Sequence, residues 1–371
     1  MMDASSEFDR CLLRGMMRYS RENGPWSFYR LSSEYQAGGK SHGEVVSLAR
    51  QWGVDAIIGR CDDEDLKKLD GLNIPIVLQN YRNRSTVYSN ITGDYKGTGA
   101  MAAKFLYGKR CTDFAFFGIH GVLWSDERLY GFRSEIEKCG GRLFVYDSLE
   151  PGKENRAEIA AWLKGLPLGT AVFCCDDERA LIITEVCKIE GLSIPSRLSV
   201  LGVDNDDLMC CISDPPISSV QLDVEQGGYM ICKYLDRQIK NPSMGHFSVS
   251  ISPVGIVERS STGICCADSM VMQLVSKIES HYMEDMSIES LLADVPLSRR
   301  CIEYRFKKEI GMGIYQYIIE CRVNRVAQLL STTSRPLLDI AMEAGIQDYN
   351  TLCRLFKKKK GCSPNEYRKK L

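Results

Sequence analysis

Two stretches of this sequence carry side chains whose types and spacing suit recognition of hydrogen-bonding edges. In PLSRRCIEYRFKKEIG (296–311), Ser298 is placed to cap a helix by accepting from its first free amides. Ile302 and Phe306 then share one face and are expected to pack on Leu291 and Leu292 of a preceding helix. Arg299, Arg300, Glu303, Tyr304 and Lys307 are left pointing away from that core. A major groove admits such a helix: an arginine fork matches N7 and O6 of guanine, and a glutamate accepts from N4 of cytosine. Downstream, Ile346, Leu352 and Phe356 form a second apolar face, with Tyr349, Asn350, Thr351 and Arg354 outward. Asparagine pairs naturally with adenine. The lysine run that begins at Lys357 and the tail YRKK suit phosphates, which give affinity but little sequence information.

The elements that must position a second set of polar groups lie upstream. DAIIG (55–59), IPIVLQ (74–79), DFAFFGI (113–119), RLFVY (142–146), TAVFCC (170–175) and LSVLGVD (198–204) read as buried strands. Helical stretches such as 95–108 and 178–191 separate them, the latter stopped by Gly191. This alternation predicts parallel sheets with helices on both faces. Ligands of such sheets sit beyond the carboxyl ends of the strands, which directs attention to Asn80, Asp176 and Asp204.

After SSTGICCAD (260–268), a small, polar, glycine-containing stretch that reads as a linker, the pattern becomes wholly helical. Residues 291–311 and 340–361 repeat an apolar–x–x–x–Phe–Lys–Lys–…–Gly pattern at an offset of 49 to 50, each unit reading as helix, tight turn, helix. Between them, 314–330 forms one long amphipathic helix. A repeated helix-turn-helix points to nucleic acid rather than to metabolic chemistry.

Composition agrees. At 371 residues, 44% hydrophobic and 26% charged, the chain exceeds one compact core and predicts two or more globular domains. Net charge is −1, yet residues 268–371 hold 17 Lys and Arg against 13 Asp and Glu. A basic end on an acidic remainder fits a nucleic-acid-binding module. No window of eighteen apolar residues predicts a membrane helix, and MMDASSEFDR lacks the regions of a signal peptide, so the cytoplasm is the expected location. The sixteen cysteines show neither C-x-x-C nor zinc-ligand spacing and are expected to be reduced and mostly structural. The four histidines lie near no nucleophile motif, and AGGKSHG (37–43) lacks the first glycine of a phosphate loop, with Glu34 in its place. Neither enzyme activity nor a cofactor is expected.

LLDIAMEAGIQDYNTLCRLFKKKKGCSPNEYR (337–368) closely resembles the end of AraC-type DNA-binding domains, and the resemblance extends over 269–371. It implies base readers at Arg299, Arg300, Glu303 and Tyr304 in the first unit, then Tyr349, Asn350 and Arg354, with Thr351 and Lys357 beside them. LSVLGVDND (198–206) and PPISSVQLDVEQGG (215–228) resemble the effector domain of lac/gal-type repressors, itself similar to periplasmic sugar-binding proteins. WSDERLYGF (124–132), PLSRRCIEYRF and the domain order resemble those of the xylose-operon activators. The resemblance implies a two-lobed α/β sensor over 1–259, a linker over 260–268 and an all-α double helix-turn-helix domain over 269–371. It places sugar contacts on Asn80, Arg128, Asp176 and Asp204, with Ser6, Phe8 and Trp124 as further candidates. It also implies an apolar strand ahead of DASSEFDR where only Met1 and Met2 stand, from which a truncated reading frame is expected.

The function implied is a dimeric, sugar-responsive activator of pentose (xylose) catabolism genes. Its partners would be double-stranded half-sites, a sugar effector and RNA polymerase, with no membrane. The alternative is a stand-alone cytoplasmic sugar-binding protein, or a repressor answering a different carbohydrate.

Overall fold

The computed structural model describes residues 6–29, 43–61, 63–79, 83–148, 155–263, 268–333 and 335–370. Along the chain come α1 (Glu7–Asn23), α2 (Gly43–Trp52), β1 (Ile57–Gly59), α3 (Asp63–Leu69), β2 (Ile76–Leu78) and β3 (Ser89–Gly93). Next are α4 (Tyr95–Gly108), β4 (Asp113–Ile119), α5 (Leu123–Lys138), β5 (Arg142–Ser148), α6 (Arg156–Gly165), β6 (Thr170–Cys174) and α7 (Asp177–Ile189). The α/β part ends with β7 (Leu198–Val203), α8 (Asp207–Ile212), β8 (Ser218–Leu222), α9 (Val224–Lys240), β9 (Ser248–Ile251) and β10 (Pro253–Val257).

These strands form two sheets, ordered β1-β2-β3-β9 and β10-β8-β7-β6-β4-β5. Every strand pairing is parallel except β10 against β8, a departure from the wholly parallel expectation. All seven residues of β4 and all of β6 and β7 are buried, as strands covered on both faces require. The chain passes between the two lobes at β3–α4, at β8–α9 and at β9–β10. Backbone bonds tie these crossings together: the Asp94 amide donates to the Ile251 carbonyl (2.8 Å) and the Asp223 amide to the Ser252 carbonyl (3.0 Å).

The six strands read from apolar runs all form, and β3, β8, β9 and β10 join them. SNITG and SSVQL are too polar to stand out, but their buried serine hydroxyls are satisfied. Ser89 accepts from the Phe247 amide (3.1 Å) and Ser218 from the Arg259 amide (2.8 Å). Within the stretch read as a linker, Ser261 and Thr262 are buried. Ser261 is tied to the second sheet: its carbonyl accepts from the Val200 amide of β7 (2.8 Å) and its amide donates to the Pro216 carbonyl (3.0 Å). Thirteen described cysteines are free thiols, whereas Cys111 is disulfide-bonded, which corrects the expectation of uniformly reduced cysteines. The stretch on which the truncation expectation rests precedes Ser6 and lies outside the described residues.

The helical part comprises α10 (Ser269–His281), α11 (Ile288–Leu292), α12 (Arg299–Ile310), α13 (Ile314–Thr332), α14 (Leu337–Glu343), α15 (Tyr349–Lys360) and α16 (Pro364–Lys370). It has two cores. One gathers Ile278, Leu291, Ile302, Phe306 and Ile318; the other gathers Val326, Ile340, Ile346, Leu352 and Phe356. The long α13 serves both, its first half in one core and its second half in the other.

Candidate functional site

Arg128, on α5, is only 4% exposed, so it is no surface ion pair. Its guanidinium donates to the Cys175 carbonyl and to the Asp204 carboxylate (3.4 Å), and lies 5.1 Å from the Trp124 ring and 5.7 Å from the Tyr95 ring. Two aromatic faces thus hold a cation that has left water. Its Nε is buried without a partner. Asp204 follows β7 with φ 102°, in the left-handed region, and Asn205 continues at φ 53°. A non-glycine residue held there costs on the order of 1–3 kcal/mol and persists only where its surroundings enforce it, a pattern concentrated at functional sites. Burial raises the Asp204 carboxyl above its usual range, and Arg128 opposes that rise.

Asp176 follows β6 and caps α7, accepting from the Arg179 amide (2.8 Å) and guanidinium (3.1 Å). Burial outweighs the pull of Arg179 and pushes its carboxyl up to about 6. Its neighbour Asp177 has a supporting role, accepting from the Ser219 hydroxyl (2.6 Å) and the Asp206 amide (2.8 Å) and so fixing the loop that carries Asp204.

The opposite wall comes from the first lobe. Ser6 is committed to capping α1, where its hydroxyl accepts from the Asp9 amide (3.2 Å), and Phe8 packs, partly buried, against the main core. Asp9 is fully buried and accepts from Gln79 (3.0 Å) and Arg60 (3.3 Å). Arg10 reaches within 4.0 Å of Asp206 on the other lobe, and the Arg84 fork bonds both oxygens of Glu127 on α5 (2.9 and 2.6 Å). Asn80 lies outside the described residues. The cleft therefore brings together Trp124, Arg128, Asp176 and Asp204 and faces them with the start of α1. Its buried carboxylates and guanidiniums suit a neutral ligand with many hydroxyls, since hydroxyls donate to the former and accept from the latter.

The second candidate surface is built twice, with counterparts fifty positions apart. Ser298 caps α12 by accepting from the Cys301 amide (3.4 Å), and Asp348 caps α15 by accepting from Thr351 (2.8 Å). Ile302 and Leu352 are fully buried, and Phe306 and Phe356 meet Tyr317 and Tyr367 edge-on at 5.7 and 5.4 Å. Gly311 (φ 85°) and Gly361 (φ 76°) end the two helices in the left-handed conformation that closes a C-terminus.

On the outward faces, Arg299, Arg300, Tyr304, Tyr349, Asn350, Arg354 and Lys357 are exposed, and Glu303 and Thr351 are half-buried. Tyr304 is 70% exposed, which no core role explains. The Arg299 guanidinium is held by Glu303 (2.9 Å) and Glu289 (2.8 Å). The lysine run is also divided, because Lys359 pairs with Glu320 and Lys360 with Asn324 (2.8 Å) on α13.

Residues 103–262 match the periplasmic binding protein-like domain and residues 291–370 match a helix-turn-helix domain. The xylose operon regulatory protein of Escherichia coli is 27% identical over 385 residues, covering 99% of this chain and 95% of its own. A solved xylose-binding transcription activator superposes with a TM-score of 0.79 at 27% identity, covering 100% of this chain and 96% of that one. This chain is a transcription regulator. A helix-turn-helix module follows its periplasmic-binding-protein-like domain. For the sensor fold alone, a periplasmic binding protein/LacI regulator from Alkaliphilus metalliredigens, complexed with D-xylulofuranose, covers 70% of the regulator at a TM-score of 0.57 and 17% identity.

Sequence reasoning missed Asp9, Gln79, Arg60, Arg179 and Tyr95 in the regulator's cleft. Gln79 ends the run IPIVLQ and was one residue from the position chosen by the strand-end rule. Asp9 and Tyr95 look like ordinary first-turn helix residues, and only the approach of the two lobes gives them a place beside the site. No helix among the described residues is long and apolar enough to cross a membrane.

Proposed function

We propose that the regulator is a cytoplasmic, homodimeric activator of sugar catabolism genes whose effector is a pentose such as xylose, bound between the lobes of its sensor. The observation that carries this reading is Arg128, buried between Tyr95 and Trp124 and bonded to Asp204 on strained backbone. Arg128, Asp176 and Asp204 would hold the hydroxyls, Asn80 would add a further contact, and Trp124 would face the ring. Ser6 and Phe8 would act through the start of α1, setting its position at the cleft mouth. The two relatives named for xylose that align over the whole chain supply the sugar class.

Arg300, Glu303, Tyr304, Tyr349, Asn350 and Arg354 would read base edges in two adjacent groove segments, with Arg299 and Thr351 at the margins and Lys357 on phosphate. Sugar closure of the lobes would reset the approach of the helical part and let both modules of a dimer engage repeated half-sites beside RNA polymerase.

Thermal unfolding against a panel of monosaccharides at millimolar concentration tests the sensor half. A ligand that binds only the folded state raises the midpoint. The reading expects a clear rise with one pentose and none with hexoses; a rise with no pentose would refute it.

A further inference from the structure

We infer that Arg110 is the positioning residue through which sugar occupancy reaches the first DNA-reading helix, an inference that rests on the sensor reading above. The helix α4 begins at a crossing between the lobes, where Asp94 caps it by accepting from the Gly97 amide (2.8 Å) and is bonded to Ile251. Fourteen residues of helix span about 21 Å. At its far end Arg110 takes the left-handed conformation (φ 64°), its amide donating to the Tyr107 carbonyl (2.8 Å). From there its guanidinium donates to the Glu309 carbonyl, in the last turn of α12. Gly311 lies against it: a Cβ at that position would stand 3.1 Å from the guanidinium.

This contact does two things. It satisfies one of the carbonyls that a helix end leaves without an internal partner, and it sets a cation at the negative end of the helix dipole. It therefore holds the C-terminal end of the helix whose N-terminal half carries Arg299, Arg300, Glu303 and Tyr304. A small tilt applied at Glu309 re-aims all four.

The other end of the linkage is the ligand cleft. Helices α4 and α5 cross on reciprocal glycines. A Cβ on Gly99 would lie 2.0 Å from the Arg128 carbonyl, and one on Gly131 would lie 2.0 Å from the Lys96 carbonyl. The backbone of the proposed sugar-contacting residue is thus packed directly on α4, and the two helices must shift as a unit. A displacement of Arg128 on ligand binding, or of the crossing at Asp94, moves α4 and with it Arg110. The sensor touches the module again where the Ser196 and Ser276 hydroxyls bond (3.0 Å), which provides a fulcrum on α10.

The test measures the affinity of the full chain for a duplex selected by the protein from a random pool, with and without saturating D-xylose. Coupling of this kind is typically about 5–150-fold in affinity, and the duplex must change the xylose Kd by the same factor. Arg110 is exposed, so Arg110→Ala is expected to keep the melting midpoint and the xylose Kd of the DNA-free protein. The coupling factor should fall below about twofold in both directions of the cycle. Arg110→Lys, which keeps a cation able to donate to the carbonyl, should restore most of it. Lys109→Ala, which removes the neighbouring cation paired with Glu258, should leave coupling at the wild-type level. A wild-type factor retained in Arg110→Ala, or lost equally in Lys109→Ala, would overturn the inference while leaving the sensor reading intact. A wild-type protein whose DNA affinity ignores D-xylose would sink both.

Discussion

The two candidate surfaces obey opposite physical rules. In the cleft the polar groups are buried and bonded to one another: Arg128 to Asp204, Asp176 to Arg179, Asp9 to Gln79 and Arg60. On α12 and α15 the polar groups are exposed, and most keep their donors free for another molecule. The cleft charges have lost water before any ligand arrives, so the folded state carries their cost and the ligand is selected by whether it completes their bonds. The exposed side chains of α12 and α15 keep their water in the free protein, so they cost the fold almost nothing. Substitutions in the cleft should therefore change stability and ligand response together, whereas those on the recognition helices should change DNA binding alone.

The largest effect expected on that contrast is Arg128→Ala. Removing one partner of a buried pair leaves Asp204 uncompensated and costs about 3–5 kcal/mol. Denaturant unfolding should show that loss, together with an absent xylose response; an unfolding midpoint equal to wild type would place Arg128 outside any buried network.

Asp176 carries a smaller expectation with a defined sign. Its carboxyl is raised from 3.8 to about 6, so between those values the folded protein holds a proton that the unfolded chain has released. Its contribution to stability is full below pH 3.8 and is lost as pH rises through about 6. Asp176→Asn should therefore reduce the fall in stability of the sugar-free protein between pH 4 and 7 by about 1–3 kcal/mol. A fall as steep as that of wild type would show that ionisation of Asp176 is not its source.

On the exposed surface, Arg354→Ala should weaken specific DNA binding by about 1–3 kcal/mol, with unfolding unchanged within about 0.5 kcal/mol. Fluorescence anisotropy on matched and scrambled duplexes would measure it. Arg299→Ala should weaken binding less than Arg354→Ala, because Glu289 and Glu303 already hold that guanidinium. The smallest effect belongs to Lys357→Ala, which should reduce the salt slope of binding by about 0.9 and act alike on all sequences. A base-dependent loss there would move Lys357 from phosphate contact to base reading.

The same contrast explains what was legible in the sequence. The helix-turn-helix repeat could be read from the sequence because its determinants are local: a cap at Ser298, an apolar pair four residues apart, a glycine at the end. Strands β4, β6 and β7 were equally plain as continuous apolar runs. The strand-end rule then found Asp176 and Asp204, since β6 and β7 deliver them to the cleft. It could not find Asp9, whose partners Arg60 and Gln79 lie 51 and 70 positions away, or Tyr95, which meets Arg128 only where α4 packs on α5. Nor could it find the polar β3 and β8, where serine hydroxyls bond the backbone of distant segments. The disulfide at Cys111 was also invisible, because cysteine spacing says nothing about which thiols the fold brings close.

The central claim, that one end of the regulator senses a sugar and the other reads DNA, is tested most directly by Asp204→Ala. Its xylose-induced thermal shift and its xylose-free affinity for the selected duplex should be measured on the same preparation. The account predicts that the shift disappears while DNA affinity stays within about twofold of wild type, a change of less than about 0.5 kcal/mol. A retained shift would contradict the placement of the sugar, and a loss of DNA affinity equal to that of Arg354→Ala would contradict the division of labour.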